Sequence, residues 1–201
     1  MQTSWLLRFG AVSGALLGLS IAIPGAIEAF TGENAATSFV LGIGTAFIPA
    51  TATGLYLRQA RAAGRFGAVA YAVQVLGLAL FGGVAYALNL VVFHLGDDPQ
   101  LAGPTRVALL ISLVVFVAGT ALFAASMVRA RVFPRLPAIG YGVLLPLLAL
   151  LAPLPDNPVT SGIHVLAGAS LCWLAAVLWR PVTASPAPVP APGYAPAAAR
   201  G

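Results

Sequence analysis

The chain has 201 residues, of which 60% are hydrophobic and only 7% charged, with a mean hydropathy of +0.96. Soluble domains carry charge on about a quarter of their residues, so a water-soluble globular fold is excluded. Ten arginines, no lysine and five acids leave a net charge of +5, and the pI near 10.2 does not point to nucleic acid, because the basic residues never form a block of five or six.

The two signs of charge alternate along the chain. Arg8 precedes the first long apolar run, and Glu28 and Glu33 follow it. Arg58, Arg61 and Arg65 follow the second run, and Asp97 and Asp98 the third. Arg106 opens the fourth, where an ion pair with the nearby aspartates is the simplest reading. Arg129, Arg131 and Arg135 follow it, then Asp156, then Arg180. Positively charged residues in short loops mark the cytoplasmic side, so both termini are expected inside, with these arginines as topology determinants.

A helix needs about 20 apolar residues to cross roughly 30 Å of hydrocarbon, and all six charge-free intervals are long enough. Continuous apolar runs, unlike the alternating strands of a barrel, require helices. The expected fold is therefore all-α, a bundle of six transmembrane helices over about 7–27, 36–57, 66–94, 107–128, 136–153 and 159–179. No small-x-small cleavage site follows Pro24 and Gly25, so the first run is expected to stay in place. Gly10, Gly14 and Gly18 recur every fourth residue and give that helix a face on which another backbone can come close, whether a neighbouring helix or a second molecule. On the third helix Tyr71, Gln74, Gly82, Tyr86 and Asn89 share roughly a third of the circumference. Such a polar stripe is expected to face the bundle interior, as interhelical hydrogen bonds or as the lining of a pocket or solute path. Pro24, Pro49 and Pro146 are expected to interrupt three helices. Beyond Trp179 residues 181–201 turn to alternating proline and alanine, a disordered cytoplasmic tail.

Motifs of catalysis are missing from the sequence: no HExxH, C-x-x-C, P-loop or G-x-S-x-G occurs. The one cysteine, Cys172, allows no intrachain disulfide. His94 and His164 lie near the outer ends of the third and sixth spans, where Glu28, Glu33, Asp97, Asp98 and Asp156 also gather. Hydrogen-bonded interfacial histidines are the plain reading; a divalent metal, or haem held by the two imidazoles, is the sharper one. No cofactor is expected from these residues.

Residues 65–80 can be laid on 135–150 with seven of sixteen positions identical, Arg65 on Arg135 and Tyr71 on Tyr141. In so Leu- and Ala-rich a chain several matches come free, and an Arg and a Tyr six residues apart also suit interface anchoring.

The stretch Gly54-Leu-Tyr-Leu-Arg-Gln-Ala-Arg-Ala-Ala-Gly-Arg-Phe-Gly67 and the loop Arg129-Ala-Arg-Val-Phe-Pro-Arg-Leu-Pro137 resemble inner loops of a group of multi-pass membrane proteins of unknown function from actinobacteria and related bacteria. Arg131 stands where those loops carry glycine. The resemblance covers the second to the fifth span; it implies the topology and no particular activity. Arginine without lysine and abundant Ala, Gly, Pro, Val and Leu suit a GC-rich genome and a bacterial plasma membrane. The leading functional expectation is a non-enzymatic integral membrane protein, an accessory subunit or a binder of lipid or another small ligand, whose partners are the bilayer and another membrane subunit or a second copy. A small-solute transporter or transporter subunit using the third-helix stripe is the alternative, and a haem or metal redox protein the third.

Overall fold

The structure, a computed structural model, describes residues 2–95, 103–152 and 157–180. Asp97, Asp98, Asp156 and the 181–201 tail lie outside the described residues. Every regular element among the described residues is helical: α1 (Gln2–Thr31), α2 (Ala35–Gly44), α3 (Ile48–Leu90), α4 (Gly103–Ala130), α5 (Arg135–Leu151) and α6 (Pro158–Trp179), with single 3-10 turns at Thr45–Phe47 and Val92–Leu95. Four stretches, Ser4–Thr31, Ala35–Leu95, Gly103–Ala130 and Pro158–Trp179, are long and apolar enough to cross a bilayer; α5 is apolar but shorter.

The longest of these stretches is not one rod. Gly64 has φ 57° and ψ −150°, a conformation essentially confined to glycine. Across it, the Thr53 and Tyr71 hydroxyls lie 3.0 Å apart although 18 residues separate them, a distance of about 27 Å in a straight helix. The rings of Tyr56 and Tyr71 stack with centroids 4.2 Å apart. α3 is therefore a hairpin of two arms, 48–63 and 65–90, joined at one residue. This corrects the expected loop between 57 and 66. Arg58-Gln-Ala-Arg-Ala-Ala63 consists of strong helix formers, so the helix runs on past the apolar segment until Gly64 turns it.

Other boundaries shift by the same logic, because caps rather than hydropathy end a helix. α1 and α4 outrun their apolar cores at both ends. Asn34 and Asn157 are N-caps whose Oδ1 atoms accept from the amides two and three residues on, while Thr37 and Thr160 each accept from the cap's own N–H at 3.0 Å. Pro24 and Pro146 lie inside α1 and α5, which continue through them instead of breaking; a membrane helix tolerates the one lost backbone bond when neighbours pack around it. Pro49 occupies the first turn of α3, where no backbone donor is needed.

Small residues bring the helices together. α1 and α6 form the most extensive contact, followed by α3 with α4. A Cβ at Gly18 would lie 2.6 Å from the Cys172 sulfur and from the Gly168 carbonyl of α6, and one at Gly14 3.1 Å from the Ala175 methyl. Gly10 instead meets α3, 2.8 Å from the Gly54 Cα. The three-glycine stripe therefore serves two neighbours within the chain. In the second seam, Cβ atoms at Gly77 and Gly119 would come within 2.7 Å of the Phe116 Cα and 2.8 Å of the Gln74 Cα respectively.

Arg58, Arg129 and Arg180 gather at one end of the bundle, whereas Arg106 opens α4 at the other. Arg58 donates to the Arg180 carbonyl at 2.9 Å, and the Arg129 guanidinium sits 5.2 Å from the centre of the Phe66 ring. At the α4–α5 turn Arg131 has φ 54°, the left-handed region that disfavours a side chain.

Two changes test this backbone reading in thermal unfolding of the detergent-purified protein followed by circular dichroism. Gly64→Ala is expected to lower stability by about 1–3 kcal/mol. Arg131→Gly is expected to raise it by about 0.5–1 kcal/mol, the relief of strain exceeding the added freedom of the unfolded chain.

Candidate functional site: an internal cavity open at the acidic end

Packing is uneven along the bundle axis. Toward the arginine end Leu55, Phe123, Met127, Leu174 and Leu178 are completely or almost completely buried in one apolar cluster that also takes in Leu7 and Phe133. Toward the other end the helices stand apart around a recess of about 400 Å³, with Glu28, Glu33, Asn89 and His164 in its wall among Phe81, Phe93 and aliphatic side chains. Deeper in, a narrower chamber of about 140 Å³ shares Ile21, Leu41, Phe81, Ala85, Asn89 and Leu148 with that recess and reaches Tyr141. Its remaining wall is nearly all apolar, contributed by α1, α3, α4, α5 and α6. A lateral groove lined by Pro49, Val75, Gly83 and Tyr86 shares Thr45, Ile48, Ala52, Leu78 and Gly82 with the same chamber. The recess, the chamber and the groove thus adjoin one another across shared walls.

Glu28 is the unusual member of the recess. It lies in the last turn of α1 and is only 6% exposed, so its carboxyl is held within the protein wall. Glu33 is exposed and accepts from the Ser38 hydroxyl at 2.6 Å. His164 lies opposite Gly25, whose missing side chain admits it. Its Nδ1 is 2.9 Å from the Thr160 carbonyl; a carbonyl only accepts, so Nδ1 carries a proton.

At the floor, Gln74 is completely buried and donates from Nε2 to the Tyr141 hydroxyl at 2.8 Å. Tyr71 and Tyr141, matched in the sequence alignment of the two segments, flank Phe123 of α4, each with its ring centroid 6.2 Å away. Gln74 Oε1, both amide atoms of Gln59, and the hydroxyls of Thr120, Ser126 and Ser161 are buried without a hydrogen-bond partner. Such groups are costly in a dry interior.

The structure separates the sequence-derived candidates. Tyr71 and Gln74 make interhelical or inter-arm hydrogen bonds at the floor. Asn89 lines the cavity but donates to its own helix at the Ala85 carbonyl. Tyr86, expected to face inward, is 49% exposed and borders the lateral groove; the stripe is wide enough to straddle the edge of the bundle. His164 lines the recess, whereas His94 is exposed, edge-on to the Phe93 ring, and is not in its wall. Among the described residues no group of three or more His, Cys, Asp or Glu is arranged to hold a metal ion. Sequence reasoning missed Tyr141 as the partner of Gln74, and Gln59 altogether, because Gln59 fell in what read as a loop. No family model, curated protein or solved structure matches the chain.

The floor is tested by a double-mutant cycle. Gln74→Leu and Tyr141→Phe are each expected to destabilise the folded protein, with a coupling of about 0.6–1.7 kcal/mol between them, read from thermal unfolding in detergent.

Proposed function

We propose that the protein crosses the plasma membrane six times with both termini cytoplasmic and that it binds a small lipid or other apolar ligand in its internal cavity. The reversal at Gly64 supports the count, since it divides the Ala35–Leu95 stretch into residues 35–63 and 65–95, each long enough to span. The arginine end supports the orientation by the positive-inside rule. The single observation that carries the binding reading is the largely apolar chamber that reaches Tyr141 and adjoins the recess at the acidic end, the form that ligand sites take. The kinship to actinobacterial membrane proteins rests on the two loop motifs and belongs to the same proposal.

Solute transport is the second reading, favoured by the lateral groove that lies against the chamber with five wall residues in common. In this conformation the chamber ends above the buried Leu55, Phe123 and Met127, so passage requires those side chains to part.

Filling the chamber tests the binding reading. Ala85→Trp should strip the copurifying lipid or small molecule seen by native mass spectrometry, while Ala72→Trp, on an exposed face, should keep it; equal retention in both sinks the proposal. In a Cys172→Ser background, Ala62→Cys should react with a membrane-impermeant thiol reagent only from the cytoplasmic side and Ala36→Cys only from outside. The reverse pattern would invert the topology.

A further inference from the structure

We infer that the lateral groove is a binding site for one acyl chain of a lipid in the leaflet at the acidic end. The inference rests on the proposal that the protein crosses the bilayer and does not require the chamber to hold a ligand.

Two helix faces form the groove. Val75, Ala79, Gly83 and Tyr86 of the second α3 arm follow one another at three- and four-residue steps, and Thr45, Ile48 and Ala52 do so opposite them. The two stretches touch on either side of the groove. Toward the arginine end Thr53 and Tyr56 meet Tyr71, and toward the acidic end a Cβ on Gly42 would lie 2.5 Å from the Leu90 Cγ. Between those contacts they part. Ala52 is buried there, whereas Pro49, Val75, Ala79 and Gly83 are exposed, and a Cβ on Gly83 would meet no atom within 4 Å.

Depth and width identify the occupant. From Val75, near the middle of the second arm, to Tyr86 the groove follows the helix for about 16 Å, half of the roughly 30 Å of hydrocarbon. It therefore spans the depth of one leaflet, and Tyr86 stands at the end where tyrosine rings meet the membrane interface. A space of about 320 Å³ drawn out over that length is one alkyl chain wide, too narrow for a second helix, which is about 10 Å across. Polar solutes find little to bind. Thr45 and Tyr86 carry the only polar side chains in the wall among the described residues, and the Thr45 hydroxyl already donates to the Gly42 carbonyl at 2.7 Å. A chain lying between the two faces is in contact on both sides, where lipid elsewhere around the bundle touches one, and dispersion contacts add with the number of atom pairs.

The test uses a lipid that records where its chain lies. Wild-type protein in phosphatidylcholine nanodiscs, doped with phosphatidylcholine bearing a diazirine within one acyl chain, is irradiated and the adducts are mapped by peptide mass spectrometry. Labelling is expected to be several-fold denser over residues 75–86 than at Leu19, Ile23 and Ile27, exposed apolar residues in the acidic half of α1. Gly83→Leu fills the groove and replaces a poor helix former with a good one; it should remove the excess and leave the labelling of α1 unchanged. Should that variant fail to fold, as judged by its elution profile and thermal unfolding, Ala79→Leu should give the same loss. Equal labelling of the groove and α1, or an excess that the filled groove retains, overturns the inference. Protection of residues 75–86 together with crosslinked dimers places a second copy there and overturns it as well. Absence of labelling on α1 and the groove alike overturns the membrane-crossing proposal with it.

Discussion

Close approach of backbones through glycine is the constraint on which this structure rests. Lipid tails are as apolar as leucine, so burying apolar side chains between membrane helices gains little, and association depends on tight contact and on polar bonds. The chain concentrates that contact in two seams, α1 against α6 at Gly14, Gly18 and Gly168, and α3 against α4 at Gly77 and Gly119. The Gly10–Gly54 crossing ties one seam to the other near the arginine end. Large side chains such as Phe123, Met127 and Leu178 fill what remains there.

The cavity follows from the same constraint. In the acidic half, the walls facing one another across the centre are Ile21, Leu41, Phe81 and Leu148, and bulky side chains hold backbones apart. The hollow half is thus bounded where bulky side chains face one another and the solid half is filled by Leu55, Phe123 and Met127, while close glycine contacts occur in both, Gly25 against His164 among them. Polar groups follow the division. The Gln74–Tyr141 bond closes the floor where helices are tight, and Glu28, Asn89 and His164 occupy the recess where they are not.

Much of the fold was legible in the sequence. Hydropathy located the apolar runs, and Arg58, Arg129 and Arg180 on one side with Glu28 and Glu33 on the other marked two ends, because desolvation of charge in hydrocarbon is the largest energy involved. It did not locate the turn. Residues 58–63 lie beyond the apolar run, and once the bilayer no longer decides, helix propensity and the one residue able to take Gly64's dihedral angles do. The candidate site was legible in part: the polar stripe of α3 singled out Gln74 and Asn89, but an arc a third of a helix wide meets several neighbours, and only packing told Tyr86 from Gln74. The cavity was not legible at all, since its volume depends on the spacing of helices far apart in sequence. The burial of Glu28 escaped for the same reason, as it is an end-of-helix residue that any loop would have exposed.

Gly64 has a mechanical consequence. A connection of one residue holds no slack, so the arms of α3 cannot slide past one another along the bundle axis. The first arm lines the lateral groove with Ile48, Pro49 and Ala52, and the second faces it with Val75, Leu78, Ala79 and Gly83. Widening that groove therefore means splaying two struts about a pivot at their arginine end, a hinge rather than a shear, in which a small rotation at Gly64 is magnified over the length of the arms into a wider gap near the acidic rim.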